Sequence, residues 1–216
     1  FVGAAPLPFL HGMTVGEIAM WLQRTKYPTL SLQVVRMRGY DRSKFADSFD
    51  GFRFLPPSPN IRDLDTAILY PATVMLEGTD VSEGRGTDAP FRMIGAPFIN
   101  AEDLKAELER YALPGLEITT ASFTPTESKY AGRRCEGVRF TVTDRSVFEP
   151  FRTSVALMLS LRKLYPIKLG LERHGAFFDQ LAGSSRYRIM IQRQVPIEEI
   201  LDAARGPVQA FETAWP

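Results

Sequence analysis

Residues 14–37 read TVGEIAMWLQRTKYPTLSLQVVRM. The first part predicts an α-helix, because Val15, Ile18, Ala19 and Leu22 fall at i, i+3, i+4 and i+7 and so share one face. Thr14 with Glu17 three residues on has capping-box spacing, each side chain reaching the other's backbone N–H. The second part, LSLQVVRM at 30–37, is rich in β-branched residues, lies between Pro28 and Gly39, and is apolar on both faces. It predicts a strand inside a sheet covered on both sides. A helix running into a buried strand points to a mixed α/β chain.

The segments downstream keep that mixture. Residues 39–60 read as irregular, and Asn60 is expected to cap a short helix with Asp63 at its third position and Leu64, Ala67 and Ile68 inward. Tyr70-Pro71 stops or kinks that helix. Residues 92–99 read as a strand, and 101–112 as a helix capped by Asn100. Val138, Phe140 and Val142 alternate with polar residues as a half-buried strand. Residues 151–164 form a strongly apolar helix, and Tyr187, Ile189 and Ile191 alternate as a further strand. A last helix opens at Pro196, turns Ile197, Ile200, Leu201 and Ala204 inward, and stops at Gly206-Pro207. Helices and strands intermix throughout, which argues α/β or α+β. Loops are long and glycine-rich up to residues 96–101 and poorer in glycine afterwards, which sets a domain boundary there.

With 216 residues the chain can bury a sizeable core as one large or two small domains. An apolar fraction of 44% with 24% charged residues excludes a disordered chain, a collagen and a coiled coil. The net charge of +1 gives no footprint for nucleic acid. No apolar run reaches the ~18 residues of a membrane span. Cys135 is the one cysteine, so no intrachain disulfide forms, and no histidine neighbours it in sequence to make it a nucleophile. Two histidines, His11 and His174, with no CxxC or HExxH, point to no metal site. No cofactor is implied. Trp21 and Trp215 read as packing residues. The chain opens at Phe1 with no charged segment before an apolar one, so it shows no signal peptide and reads as a piece of a longer protein.

Polar chemistry concentrates in four segments. EGTDVSEGRGTD at 77–88 holds five ionised side chains, three glycines and three hydroxyls. Arg85 lies between Gly84 and Gly86, where the bare backbone admits a ligand closely, and a guanidinium there suits a carboxylate or phosphate. The competing reading is a solvated turn in which Arg85 pairs with Asp80 or Asp88. This is not a phosphate-binding Walker loop, since no GxxxxGK[ST] occurs. In HGMTVGE at 11–17, His11 is an acid–base candidate and Glu17 a carboxylate that either works at a cleft or caps its helix. PPSPN at 56–60 is a rigid loop presenting Ser58 and Asn60. FTPTESKYAG at 123–132 carries Glu127, Lys129 and Tyr130. His174, within LERHG, reads as an exposed residue.

HGMTVGEIA, PPSPNIRDLDTAILYP, LEGTDVSEGRGTDAPFRMIGAPF and FTPTESKYAGRRCEGV, taken in order, resemble the exo-β-N-acetylmuramidases of the NamZ type, from Phe1 almost to Pro216. The resemblance implies hydrolysis at the non-reducing end of peptidoglycan glycans, with release of N-acetylmuramic acid from substrates such as the MurNAc-GlcNAc disaccharide. It also implies the second half of a Rossmann-like domain over residues 1–97, an α+β auxiliary domain over 98–216, and a periplasmic or secreted location. The family's Glu-His-Gly motif, with its proposed catalytic glutamate, does not occur in this chain. Glycoside hydrolysis needs two carboxyl groups. Glu77 and Glu17, with His11, are the catalytic candidates here. Arg85 is the candidate for the lactyl carboxylate that distinguishes muramic acid from glucosamine. Asn60, Ser58, Thr87, Asp88 and Tyr130 are candidates for the hydroxyls and the N-acetyl group. Two other readings are a peptidoglycan-sugar-binding fragment without the upstream glutamate, and an inert remnant. A half sheet standing alone exposes an edge and an apolar face, so self-association is expected of such a fragment.

Overall fold

The computed structural model describes Ala5 and residues 7–214. Along them run α1 (Val15–Thr25), α2 (Leu64–Thr73), β1 (Met93–Ala96), α3 (Ala101–Glu109), β2 (Leu116–Phe123), β3 (Cys135–Val142), α4 (Pro150–Leu164), α5 (Gly175–Ala182), α6 (Ser185–Gln192) and α7 (Ile197–Ala214). Short 3-10 turns lie at Ala46–Ser48 and Val74–Gly78. The chain divides into two compact units, one of Pro56–Arg205 and the other of residues 7–55 with 206–214. The boundary expected at 97/98 lies inside the first unit, in the turn from β1 to α3.

In the first unit the core forms around α4. Thr153 to Leu161 are buried without interruption, so this helix has to be covered on every side. Helices α2, α3 and α6 pack on it. The sheet has the order β1-β3-β2, both pairs antiparallel. Ile94, Val138 and Phe140 join the main core from one face, with Leu104 and Leu108 of α3 in the same cluster. On the other face Met93, Arg139 and Thr119 stand directly opposite one another across the three strands. There a smaller cluster forms from Ala89, Met93, Phe123 and Cys135.

In the second unit α1 opens on the capping box read from its sequence. The Thr14 N–H donates to Glu17 Oε2 at 2.6 Å and the Glu17 N–H to Thr14 Oγ1 at 3.3 Å. Trp21 packs its ring on Phe211, with centroids 6.3 Å apart. Trp215 lies outside the described residues.

Four expectations are corrected. Residues 30–37 are irregular and join no strand among the described residues, and Val35 is 89% exposed. Apolar content permits a strand, but only a neighbour's backbone makes one, and this stretch enters no ladder among the described residues. Asp63, not Asn60, caps α2; its Oδ1 accepts from the Thr66 N–H at 2.7 Å, and the helix therefore starts at Leu64. Residues 185–192 are a helix, because Tyr187 and Ile191 satisfy the i, i+4 spacing as well as a period of two. Gly183, at φ 74°, ends α5 and lets the chain restart as α6. Finally, α7 runs through Gly206-Pro207 to Ala214. Pro207 removes one backbone donor, and the contact of Phe211 with Trp21 supports the turns beyond it.

Candidate functional site

The loop from Glu77 to Phe91 is polar in sequence yet largely buried, so its backbone and its charges have to find partners inside the protein. Ser82 and Gly95 exchange both backbone hydrogen bonds, at 2.8 and 3.0 Å, which ties the loop to β1. Phe91 N–H donates to Glu83 O at 2.6 Å, and Thr126 N–H to Gly86 O at 2.8 Å. Thr87 Oγ1 donates to Gly84 O at 2.6 Å and accepts from the Ala89 N–H at 3.1 Å. The two glycines have separate reasons. At Gly84, φ 83°, a Cβ would strike the Met93 carbonyl. At Gly86, φ 79°, a Cβ would lie 2.6 Å from Glu127 N.

The charges form one network. Arg85 Nη1 donates to Glu83 Oε1 and Arg85 Nη2 to Glu77 Oε1, each at 2.7 Å. The guanidinium also lies over the Phe91 ring, 5.0 Å from its centroid. Lys129 Nζ donates to Glu83 Oε2 at 3.1 Å, Leu76 O at 2.7 Å and Val81 O at 3.0 Å. The Glu83 side chain is 2% exposed, against 18% for Glu77 and 29% for Arg85. Burial pushes the Glu83 carboxyl up; the Lys129 charge, with hydrogen bonds from its own backbone N–H, Arg85 and Lys129, overrides that and holds it below the usual carboxylate range. Burial pulls Arg85 down, and hydrogen bonds to Glu77 and Glu83 raise it above its ordinary value. Two carboxylates and two cations thus neutralise one another, and the buried Glu83 depends on both cations. The anions that Arg85 holds are Glu77 and Glu83, rather than Asp80 or Asp88.

Tyr130 flanks this network and donates to Asp80 O at 2.6 Å. Asp80 faces His174, whose Nε2 lies 3.0 Å from Asp80 Oδ1, and also pairs with Arg173. Asp80 Oδ2 fills the space that a Cβ on Gly170 would need. Residues 80 and 174 are distant in sequence, and no local motif joins them.

The other side of the same loop, Gly86, Thr87 and Asp88, walls an open cleft of about 830 Å³. Thr124, Thr126 and Glu127 form the facing wall, Met93, Ser122, Phe123 and Arg139 the sheet side, and Arg62 completes the lining. Thr87 and Asp88 are therefore brought together at a cleft, while Arg85, Glu77 and Tyr130 face the network. Asn60 Oδ1 is buried without a partner among the described residues, and its backbone N–H donates to Ser58 Oγ at 3.4 Å within the turn closed by Ser58 and Ile61.

In the second unit, Glu17 is held by the capping box and by Arg42. The Thr14 backbone bond is the main reason its carboxyl is lowered. His11 Nδ1 accepts from the Met13 N–H at 3.0 Å, which leaves Nε2 to carry the ring proton of the neutral form. Cys135 is fully buried, and burial pushes its thiol up to about 11, so it is no nucleophile at neutral pH. No cluster of three metal-ligating side chains occurs among the described residues, and no described helix is long and apolar enough to cross a membrane.

Glu83, the buried centre of this network, is the residue that sequence reading missed. It stands beside Arg85 in the same motif, but an isolated glutamate in a glycine-rich loop gives no sign of being buried. Lys129, in the segment that the sequence offers either as a cleft wall or as plain surface, is its counter-charge together with Arg85.

Two family models match the chain in tandem: "Exo-beta-N-acetylmuramidase NamZ, N-terminal" over residues 1–65 and "Exo-beta-N-acetylmuramidase NamZ, C-terminal" over residues 68–215. The chain is similar to the peptidoglycan beta-N-acetylmuramidase NamZ of Bacillus subtilis (strain 168), with 40% identity over 213 residues, 98% of this chain and 50% of that protein. Two crystal structures of DUF1343 family proteins from Bacteroides fragilis NCTC 9343 resemble it at TM-scores of 0.82 and 0.74, each at 26% identity. They match 94% and 98% of this chain, and 56% of each of those proteins. The chain spans about half the length of the relatives it matches.

Proposed function

The chain belongs to the NamZ exo-β-N-acetylmuramidase family, and from that premise we propose that it is part of a glycoside hydrolase that releases N-acetylmuramic acid from the non-reducing ends of peptidoglycan glycans. The observation that carries this is Glu77. It is a partly exposed carboxylate with Oε1 fixed by Arg85, and Oε2 accepts no hydrogen bond among the described residues. Such a group is suited to act at the anomeric carbon or on a water, the second of the two carboxyl roles that glycoside hydrolysis requires. Arg85 positions Glu77, and Glu83 with Lys129 holds Arg85. The carboxyl group that protonates the leaving oxygen comes from outside this chain, as the family's Glu-His-Gly motif implies. Glu17 serves α1 as its cap. In this reading His11 presents Nε2 to a substrate hydroxyl, and the N-terminal part belongs to a Rossmann-like domain in a periplasmic or secreted protein.

The test uses the whole polypeptide that carries this chain. It should release nitrophenol from nitrophenyl β-N-acetylmuraminide and leave the β-N-acetylglucosaminide intact. Release from neither substrate, or equal release from both, would overturn the assignment.

A further inference from the structure

The structure assigns a carboxylate-binding site to the cleft walled by Gly86–Asp88 and Thr124–Glu127, with Arg139 as the residue that holds the ligand's anion. The proposal rests on the muramidase reading only for the identity of the natural ligand. The site itself stands on three observations.

The first is the state of the two arginines that line it. Arg85 is saturated by Glu77 and Glu83 and does not line the cleft. Arg139 does, and among the described residues it makes no hydrogen bond or ion pair through its side chain. Its direct cross-strand neighbours, Met93 and Thr119, carry no charge that could neutralise it. Arg62 donates through Nε to Pro59 O at 2.9 Å, which leaves its terminal nitrogens for a ligand. A half-buried guanidinium on the middle strand of a sheet is held in place by its backbone, and its planar donors match a carboxylate in two parallel bonds.

The second is what surrounds the cations. Asp88, Glu127, Ser122 and Thr124 bring acceptors and hydroxyls without an ion pair among the described residues, and the buried Met93 and Phe123 close the base. Asp88 and Glu127 can accept from a ligand's hydroxyl groups, Ser122 and Thr124 can bond them as well, and the arginines suit its acid group. A volume of about 830 Å³ accommodates a saccharide of one or two rings.

The third is rigidity. Both walls are fixed from behind by the same carboxylate: Glu83 holds Arg85 next to Gly86, and Lys129 two residues beyond Glu127. Thr126 also ties the walls together, its N–H and Oγ1 both donating to Gly86 O, at 2.8 and 3.0 Å. A site preformed in this way loses little ordering entropy on binding.

On the proposed substrate a carboxylate has two sources, the lactyl group of muramic acid and the end of an attached peptide. Calorimetric titration of the whole polypeptide with N-acetylmuramic acid, N-acetylglucosamine and muramyl dipeptide separates them. The lactyl group is free in the first, absent in the second and amidated in the third. We expect an acidic ligand to bind, with the neutral sugar at least about tenfold weaker, the share of a charge-assisted pair. Arg139→Gln should remove that preference, Arg139→Lys should keep part of it, and Arg62→Gln, at an exposed position, should reduce it with an unchanged Tm. Preference for N-acetylmuramic acid assigns the lactyl carboxylate; binding of the dipeptide alone assigns the peptide end. Equal binding of all three, or an acid preference unchanged in folded Arg139→Gln and Arg62→Gln, overturns the site. Nitrophenol release is read in parallel. Release that persists while the acid preference is absent leaves the muramidase reading standing and this site refuted; acid binding without release does the reverse.

Discussion

Residues 77–91 and residues 30–37 invert each other. The first stretch is charged and glycine-rich, and it is buried. The second is apolar, and most of it is exposed. Composition fails to rank them because burial depends on whether a segment's groups find partners. Glu83 enters the interior because Arg85 and Lys129 enter with it, and because the loop's backbone bonds to β1 and to Thr126. LSLQVVRM has the side chains of a core strand and joins no ladder among the described residues.

The harshest way to break this contrast is Glu83→Ala. It leaves Arg85 and Lys129 half-buried beside missing partners and should cost about 3–5 kcal/mol in denaturant unfolding of the whole polypeptide. A loss under ~1 kcal/mol would mean that water reaches the network freely. Next comes Gly86→Ala, which places a Cβ 2.6 Å from Glu127 N at φ 79°. A penalty of about 2 kcal/mol is expected, and the cleft should lose ligand affinity as well, since Gly86 is one of its walls.

Acid titration sharpens the same comparison at smaller scale. Because the Glu83 carboxyl is lowered in the folded state from its ordinary 4.5, its contribution is fully present above that pH. It is lost as the pH falls below that, through the lower folded value. Stability measured from neutrality down to about pH 3 should therefore fall, and Glu83→Gln should flatten that limb. The smallest effect belongs to the apolar stretch. Val35→Ser, at a position 89% exposed, should change the stability of this chain by no more than about 0.5 kcal/mol. A larger loss would show that Val35 is covered in solution.

Much of the architecture was legible where one local signal dominated. The Thr14–Glu17 box, the Asn100 cap, the alternation of Val138 and Phe140, and the strongly apolar helix α4 all stand in the structure. Signals failed where two periods or two caps competed. SRYRIMIQ fits strand and helix alike, and Asp63 outbids Asn60 by bonding the Thr66 N–H. β2 went unread because its polar residues, Glu117, Thr119 and Thr120, mask the alternation. For the site, the sequence picked out Glu77, Arg85, Thr87 and Asp88 as one motif. It could not reveal that Arg85 turns onto Glu77 and Glu83 while Thr87 and Asp88 face a cleft, nor that Arg139, some fifty residues on, lines that cleft too. Those are facts of long-range packing, and no local pattern encodes them.

Glu77 and Glu83 are bonded to the same guanidinium but differ in exposure, so one measurement separates a reacting carboxylate from a structural one. Nitrophenol release from the muraminide and thermal unfolding are compared for Glu77→Gln and Glu83→Gln in the whole polypeptide. Glu77→Gln should lower kcat by about 10²-fold or more with a nearly unchanged Tm, while Glu83→Gln should lower Tm markedly. Full turnover in a folded Glu77→Gln protein would contradict the role given to Glu77.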